Sequence, residues 1–247
     1  MKNLVIIPAG KNSEHQKWEQ DHRDHGFDLC IMNYATPFVF SDRNSQNAKF
    51  VMNENGMKFK LMTKFIDQNP SVVENYDYVL LMDDDISTSP IEIEKLFDVC
   101  RSENFDLSQA GLCSGSTYTF MPTVKVKNAK YHLTNMVEIM MPCFSKRLFK
   151  ETIEDIRNSK YGHGWGLEGV WNKKFHVGNG ASKFGGKIGV IDCVNFCHLR
   201  PLGGGDTKIY EKFGSPWDEL KEQEVRVGFK WAEMNFTTYS IEWTDSQ

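Results

Sequence analysis

Residues Tyr76 to Ser87 read YDYVLLMDDDIS, an apolar run that ends on three consecutive carboxylates, Asp83, Asp84 and Asp85. A short continuous apolar run between polar flanks reads as a strand covered on both faces, here Tyr78 to Met82. Pro90 then opens a helix, with Ile91, Ile93, Leu96, Phe97 and Cys100 on its apolar side and acidic residues in its first turn. Upstream, Asn3 to Pro8 (NLVIIP) repeats the buried-strand pattern and is followed by a Gly-containing turn and a helical stretch over Ser13 to Asp24. Phe27 to Met32 and Pro37 to Phe40 read as short strands, and Gly56 to Asn69 as a helix stopped by Pro70. Strands alternating with helices predict an α/β fold, a mixed and mainly parallel sheet flanked by helices in a single domain.

The second half is less regular. Leu112 to Met121, Thr123 to Lys127 and Met136 to Cys143 suggest strands, and Ser145 caps a helix running to Asn158. A glycine-rich turn, YGHGWGLEG, leads into a helix from Leu167; Lys187 to Asp192 and Val194 to His198 follow as strands, then a PLGGG loop. Residues 1–205 are expected to form the main domain, with 206–247 a helical extension packed on it.

The chain has 247 residues, 40% of them apolar, enough for a sizeable core. With 29 basic against 33 acidic residues and no long single-sign block, it carries no nucleic-acid footprint. No apolar run approaches the roughly 20 residues of a spanning helix, and the apolar start is too short for a signal peptide, so a cytoplasmic address is expected. The six cysteines lack a Cys-x-x-Cys pair and are expected to be reduced thiols. Cys193, Cys197 and His198 suggest zinc, but alternation along one strand accounts for them without a metal.

Carboxylates crowded at a strand end repel by about 4 kcal/mol at 4 Å in an intermediate dielectric, so a divalent cation is expected among them. In open α/β sheets, ligands gather at these carboxyl ends. Two chemistries use a strand-end Asp-x-Asp. A haloacid-dehalogenase-type aspartyl phosphatase carries it on the first strand, with a later acidic pair; neither condition holds. The other is glycosyl transfer from a nucleotide-diphosphate sugar, in which Mn²⁺ or Mg²⁺ between carboxylates and diphosphate stabilises the leaving group. Asp83 is then expected on the nucleotide and metal, Asp84 on the nucleotide sugar but as the member of the run exchanged with least loss, and Asp85 on the metal. His198 is a candidate third ligand and Arg200 a candidate phosphate contact. Glu168, between Trp165 and Trp171, is the candidate base for an acceptor hydroxyl, with Trp165 and His163 as candidate acceptor contacts. The loop Pro8 to Asn12, including Gly10, is expected against the nucleotide base, and Lys58 near phosphate.

Taken together, YDYVLLMDDDI, VEIMMPCFSKRLF, YGHGWGLE and KIGVIDCVNFCH resemble segments of the DUF707 family of glycosyltransferase-like proteins over roughly Gly56 to Leu202. The resemblance implies a GT-A nucleotide-diphospho-sugar transferase fold. It places Asp83 and Asp85 at donor and metal, makes Asp84 the variable middle position, and matches His198 to a late histidine. Glu168 stands where the family pattern has Asp, and the Trp-Gly-x-acid segment implies an inverting transfer to a hydroxyl of a glycan or polysaccharide. Peripheral membrane association is expected only for a lipid-linked acceptor. A sugar-phosphate nucleotidyltransferase, for which PAGKNS is a faint phosphate loop, and a non-catalytic carbohydrate-binding protein remain alternatives.

Overall fold

A computed structural model describes residues 2–20, 25–35, 48–201 and 212–244. Strand β1 (Asn3–Ala9) is buried at every position. Its side chains alternate between two cores: Leu4 and Ile6 join one, Val5 and Ile7 the other. A period of two covered on both faces is why this strand appears in sequence as an unbroken apolar run.

β1 pairs in parallel with β2 (Asp28–Asn33) and with β4 (Tyr78–Leu81), and β2 in parallel with β3 (Phe50–Asn53). The sheet continues from β4 through β8 (Cys143–Ser145), β6 (Phe105–Leu112), β9 (Lys187–His198) and β7 (Ala129–Thr134) to β10 (Thr238–Trp243). β8 runs antiparallel to both β4 and β6, so the sheet is mixed, as expected. Helices α1 (Lys58–Gln68), α4 (Lys146–Arg157) and α5 (Leu167–Phe175) cover one face, through Phe59, Phe65, Phe149 and Trp171. Helix α3 (Pro90–Ser102) covers the other through Ile93, Leu96 and Phe97; the short α2 (Val72–Asn75) lies between α1 and β4. The Ser145 hydroxyl accepts from the Leu148 amide at 3.4 Å, the cap its sequence position predicts.

Several expectations are corrected. Ser13 to Asp24 yields a 3-10 segment, Glu14–Gln20, in its described part, and the expected strand Pro37 to Phe40 lies outside the described residues. The strand near Leu112 ends there instead of starting, because β6 is an inner strand whose polar Asp106, Ser108 and Gln109 find buried partners. Residues 124–127 form no strand beyond a single bridge from Val124 to Leu112, and 136–142 are a turn. The two late strands are one, β9. The region from 206 supplies helix α6 (Pro216–Val227) but also β10, which pairs with β7 and so belongs to the sheet itself. Cys113 and Cys197 are joined in a disulfide, contrary to the expectation of six reduced thiols. Cys197 is thereby removed from the zinc alternative, and the ground for a cytoplasmic address weakens, since disulfides persist in oxidising compartments.

Candidate functional site

The acidic run leaves β4 where α/β sheets expose their strand ends. The Asp83 amide donates to the Met140 carbonyl at 3.0 Å, after which the two-residue strand β5 (Ile86–Ser87) pairs antiparallel with β9, Ile86 opposite His198 and Ser87 opposite Cys197. That register, and the Leu199 amide donating to the Asp85 carbonyl at 3.1 Å, bring together groups 113 residues apart in sequence. The result is a cavity of about 620 Å³, of a size usual for small-molecule sites. Asp83, Asp85, Trp165, Glu168, His198 and Arg200 all line it.

The three aspartates do different work. Asp83 Oδ1 is 2.6 Å from Lys58 Nζ, which also donates to the carbonyls of Ile139 and Met140. Desolvation pushes the Asp83 carboxyl up to about 6, with Lys58 opposing and Asp85 adding to the rise. Lys58 is thus a counter-ion with all three donors directed inward, away from the phosphate role expected of it. Asp85 Oδ2 lies 3.3 Å from His198 Nε2, while its Oδ1 is buried with no hydrogen-bond partner. Burial would raise the Asp85 carboxyl, but the hydrogen bond and charge of His198 hold it below the ordinary range. His198 Nδ1 faces the Thr117 carbonyl at 2.9 Å, which orients the ring with Nε2 toward Asp85.

Asp84 turns away from the cavity and is 7% exposed. Its Oδ2 accepts from the Gly10 amide and the Tyr34 hydroxyl, each at 2.8 Å, and its Oδ1 from Arg200 at 3.0 Å. It links the β1 loop to the end of β9 and does not line the cavity, which corrects its expected contact with the nucleotide sugar; three donors on one carboxylate argue against its being the member exchanged with least loss. Gly10 is required there: a Cβ would meet Tyr34 Oη at 2.5 Å and Asp84 Oδ2 at 3.0 Å. Pro8 is buried in β1 opposite Met32. Neither Pro8 nor Gly10 lines the cavity.

Glu168 sits in the first turn of α5 behind Gly166, whose φ of 91° is a conformation that glycine adopts without strain. Glu168 is 6% exposed; its Oε1 accepts from the Ile139 amide at 3.4 Å and its Oε2 has no partner. Burial pushes its carboxyl up to about 8. Trp165 lines the cavity while Trp171 is core, and His163 faces elsewhere, its Nε2 2.9 Å from the Gly214 carbonyl, which corrects its assignment as an acceptor contact.

Sequence reasoning missed Glu138. It lines the same cavity, is 6% exposed, has an unpartnered Oε2, and burial pushes its carboxyl up to about 7. The signal was a lone acid inside MVEIMMPC, hidden by treating the run as a strand. Phe120, Trp217 and Trp231 complete an aromatic side that the sequence did not assign.

As a metal site, the donors fit in part. Asp85 and His198 offer a carboxylate with a free buried oxygen beside an imidazole nitrogen, a pair that suits manganese better than magnesium, which prefers oxygen ligands. Asp83 is engaged by Lys58, and among the described residues no three acidic, histidine or cysteine side chains converge as a ligand set.

The fold and site define an α/β protein with an acid-lined, aromatic-walled ligand cavity at its strand ends. The chain belongs to the family described as "Protein of unknown function (DUF707)", whose model matches residues 2–136. That match includes the N-terminal end which the segment resemblance left out, and stops before the segments of Val137 to His198. Solved structures of S. aureus TarS share the fold. TarS 1–349 with UDP-GlcNAc has a TM-score of 0.55 at 15% identity, covering 94% of this chain and 69% of that one. The same fragment with UDP has a TM-score of 0.54 at 12% identity, covering 94% and 68%. Longer TarS has a TM-score of 0.51 at 14% identity, and the match spans 79% of this chain but only 36% of that one. No curated protein matches the chain.

Proposed function

We propose that the protein is a glycosyltransferase of GT-A type, moving a sugar from a nucleotide-diphosphate sugar to a hydroxyl of a carbohydrate acceptor with inversion. The observation that carries this reading is the pairing, in one cavity, of Asp83 and Asp85 at the strand end with a buried Glu168 whose Oε2 has no partner. Likeness of fold to a protein crystallised with UDP and UDP-GlcNAc supports the donor class.

In this reading Asp85 and His198 would hold a divalent cation such as Mn²⁺ or Mg²⁺, which would supply positive charge for the diphosphate leaving group. Arg200, fixed by Asp84 and by the Asn12 carbonyl at 3.0 Å, borders the anionic part of the donor. Glu168 accepts the proton of the acceptor hydroxyl as the oxygen bonds to the anomeric carbon and the bond to diphosphate breaks. Ionised Glu168 is the active form, so a rate limb rising through about pH 8 is expected of the free enzyme.

The experiment is a panel of UDP-, GDP- and CMP-sugars, each with Mn²⁺, read by thermal stabilisation and then by transfer. Stabilisation by one nucleotide class, lost in Asp85→Asn, supports the donor site, and loss of transfer in Glu168→Gln supports the base. Full transfer by Glu168→Gln would move the mechanism to another base or to retention. Cleavage of a nucleoside triphosphate with sugar phosphate would favour the nucleotidyltransferase alternative, and sugar binding without either reaction a carbohydrate-binding protein.

A further inference from the structure

Half of the aromatic side of the cavity, Trp217 and Trp231 of four rings, comes from a part of the chain to which no role has been given. Trp165 precedes α5, but Trp217 opens α6 and Trp231 begins the 3-10 turn that follows it. Trp165 and Trp217 meet edge to face with centroids 4.8 Å apart. Trp231 packs edge-on against Phe120 at 5.9 Å, and Phe236 supports it at 5.3 Å. Although it lines the cavity, Trp217 is 60% exposed, so much of its indole surface is open to a ligand.

Facing the same space are Glu138 and Glu168, each almost fully buried and each with one unpartnered carboxyl oxygen. Buried polar atoms in native proteins are normally paired, so two orphans in one cavity mark places where a ligand supplies the partner. No cation is free for a charged ligand in this half of the cavity: Arg200, the one Lys or Arg among the described lining residues, is assigned above to the donor, and Lys58 does not line it. Lys58 holds Asp83 and two carbonyls, and Arg200 holds Asp84 and the Asn12 carbonyl. The occupant of this half of the cavity therefore presents hydroxyls to the carboxyl groups, a C–H face to the indoles, and no negative charge.

We infer that Trp165, Trp217 and Trp231, with Glu138 and Glu168, form a subsite for an uncharged pyranose ring, the acceptor sugar. Identifying that ring as the acceptor rests on the transferase reading above; the subsite itself does not. The segment beyond residue 212 is then the part of the chain that selects the acceptor, and sugars bearing carboxylate are disfavoured because no cation in this half of the cavity is free to pair with the charge.

The test is titration of the full chain, followed by tryptophan fluorescence, with methyl glycosides of glucose, galactose and N-acetylglucosamine and with methyl glucuronide. At least one neutral glycoside is expected to bind, with the glucuronide at least about tenfold weaker. Trp217→Ala is expected to weaken the neutral ligand about tenfold, the size of a lost sugar–aromatic contact, and Trp217→Phe to restore part of it. Stabilisation by the nucleotide sugar is expected to be unchanged in both variants. No response to any neutral glycoside, equal binding of the glucuronide, or unchanged affinity in Trp217→Ala overturns the subsite. Nucleotide-sugar binding without glycoside binding removes the subsite and leaves the transferase reading intact. Glycoside binding without any nucleotide-sugar binding does the reverse.

Discussion

Arg200 Nη1 donates to Asp84 Oδ1 at 3.0 Å, joining the end of β9 to the end of β4 across 116 residues of sequence. On the other side of the same carboxylate are the Gly10 amide and the Tyr34 hydroxyl. Asp84→Ala leaves both without their acceptor in a buried setting, and each unpaired group costs about 1–3 kcal/mol. The Arg200 arm, 42% exposed, adds less than about 1 kcal/mol. The expected loss is about 2–4 kcal/mol in urea unfolding, with Asp84→Asn losing less because an amide oxygen still accepts. A variant as stable as the wild type would return Asp84 to the dispensable role its middle position suggests.

Burial raises Glu168 from an ordinary 4.5 to about 8 and Glu138 to about 7, so both bind a proton more tightly folded than unfolded. Their contribution to stability is complete below about pH 4.5 and is lost as pH rises through 7 to 8. Glu168→Gln carries no proton to lose. Its melting temperature relative to wild type is therefore expected to be higher at pH 9 than at pH 5. A difference that does not change between the two would mean that Glu168 is ionised throughout.

Strands β1, β2 and β4 were legible because they are covered on both faces, and α1 and α3 because each buries one apolar stripe, patterns that survive in sequence as runs and as 3.6-residue spacing, whereas β3, with only Met52 buried, left no such run. Where polar residues are buried, the pattern fails. In β6, Asp106 accepts from the Ser145 hydroxyl at 2.7 Å and the Gln109 Oε1 from the Glu138 amide at 2.6 Å, so an inner strand reads as half polar. β7 is masked in the same way by His132, whose Nδ1 meets Asp192 at 2.7 Å. At the site, Asp83, Asp85, Glu168 and His198 were legible because each stands at a strand end or a glycine-rich turn. Glu138, Trp217 and Trp231 were not, since tertiary folding alone carries them to the cavity.

The disulfide closes a loop of sequence separation 84 and fixes the segment that orients His198. The Ser116 hydroxyl accepts from the His198 amide at 3.1 Å, and Thr117 holds the ring. Cross-links of this span typically contribute about 2–4 kcal/mol, chiefly through the unfolded chain. Cys113→Ser with Cys197→Ser is expected to lower the melting temperature and, if the proposed metal role of His198 holds, to weaken Mn²⁺ affinity by calorimetry. An unchanged melting temperature on adding dithiothreitol to the wild type would show that the two thiols are not joined in solution.

Glu219 of α6 is fully buried and holds the turn that delivers Trp165 and Glu168. Its Oε1 accepts from the Ser159 hydroxyl at 2.5 Å and the Gly164 amide at 2.6 Å, and its Oε2 from the amides of Tyr161 at 2.8 Å and His163 at 3.3 Å. Four donors on one carboxylate leave no place for an amide group, because Glu219→Gln turns an N–H toward an N–H. Glu219→Gln is expected to cost at least about 2 kcal/mol, and Glu219→Ala more. Since the strain falls on the turn before α5, kcat is expected to fall further than donor affinity, which the proposed reading assigns to the β4 and β9 ends. Equal loss of donor binding and turnover would mean that the whole cavity, and not the turn alone, depends on Glu219.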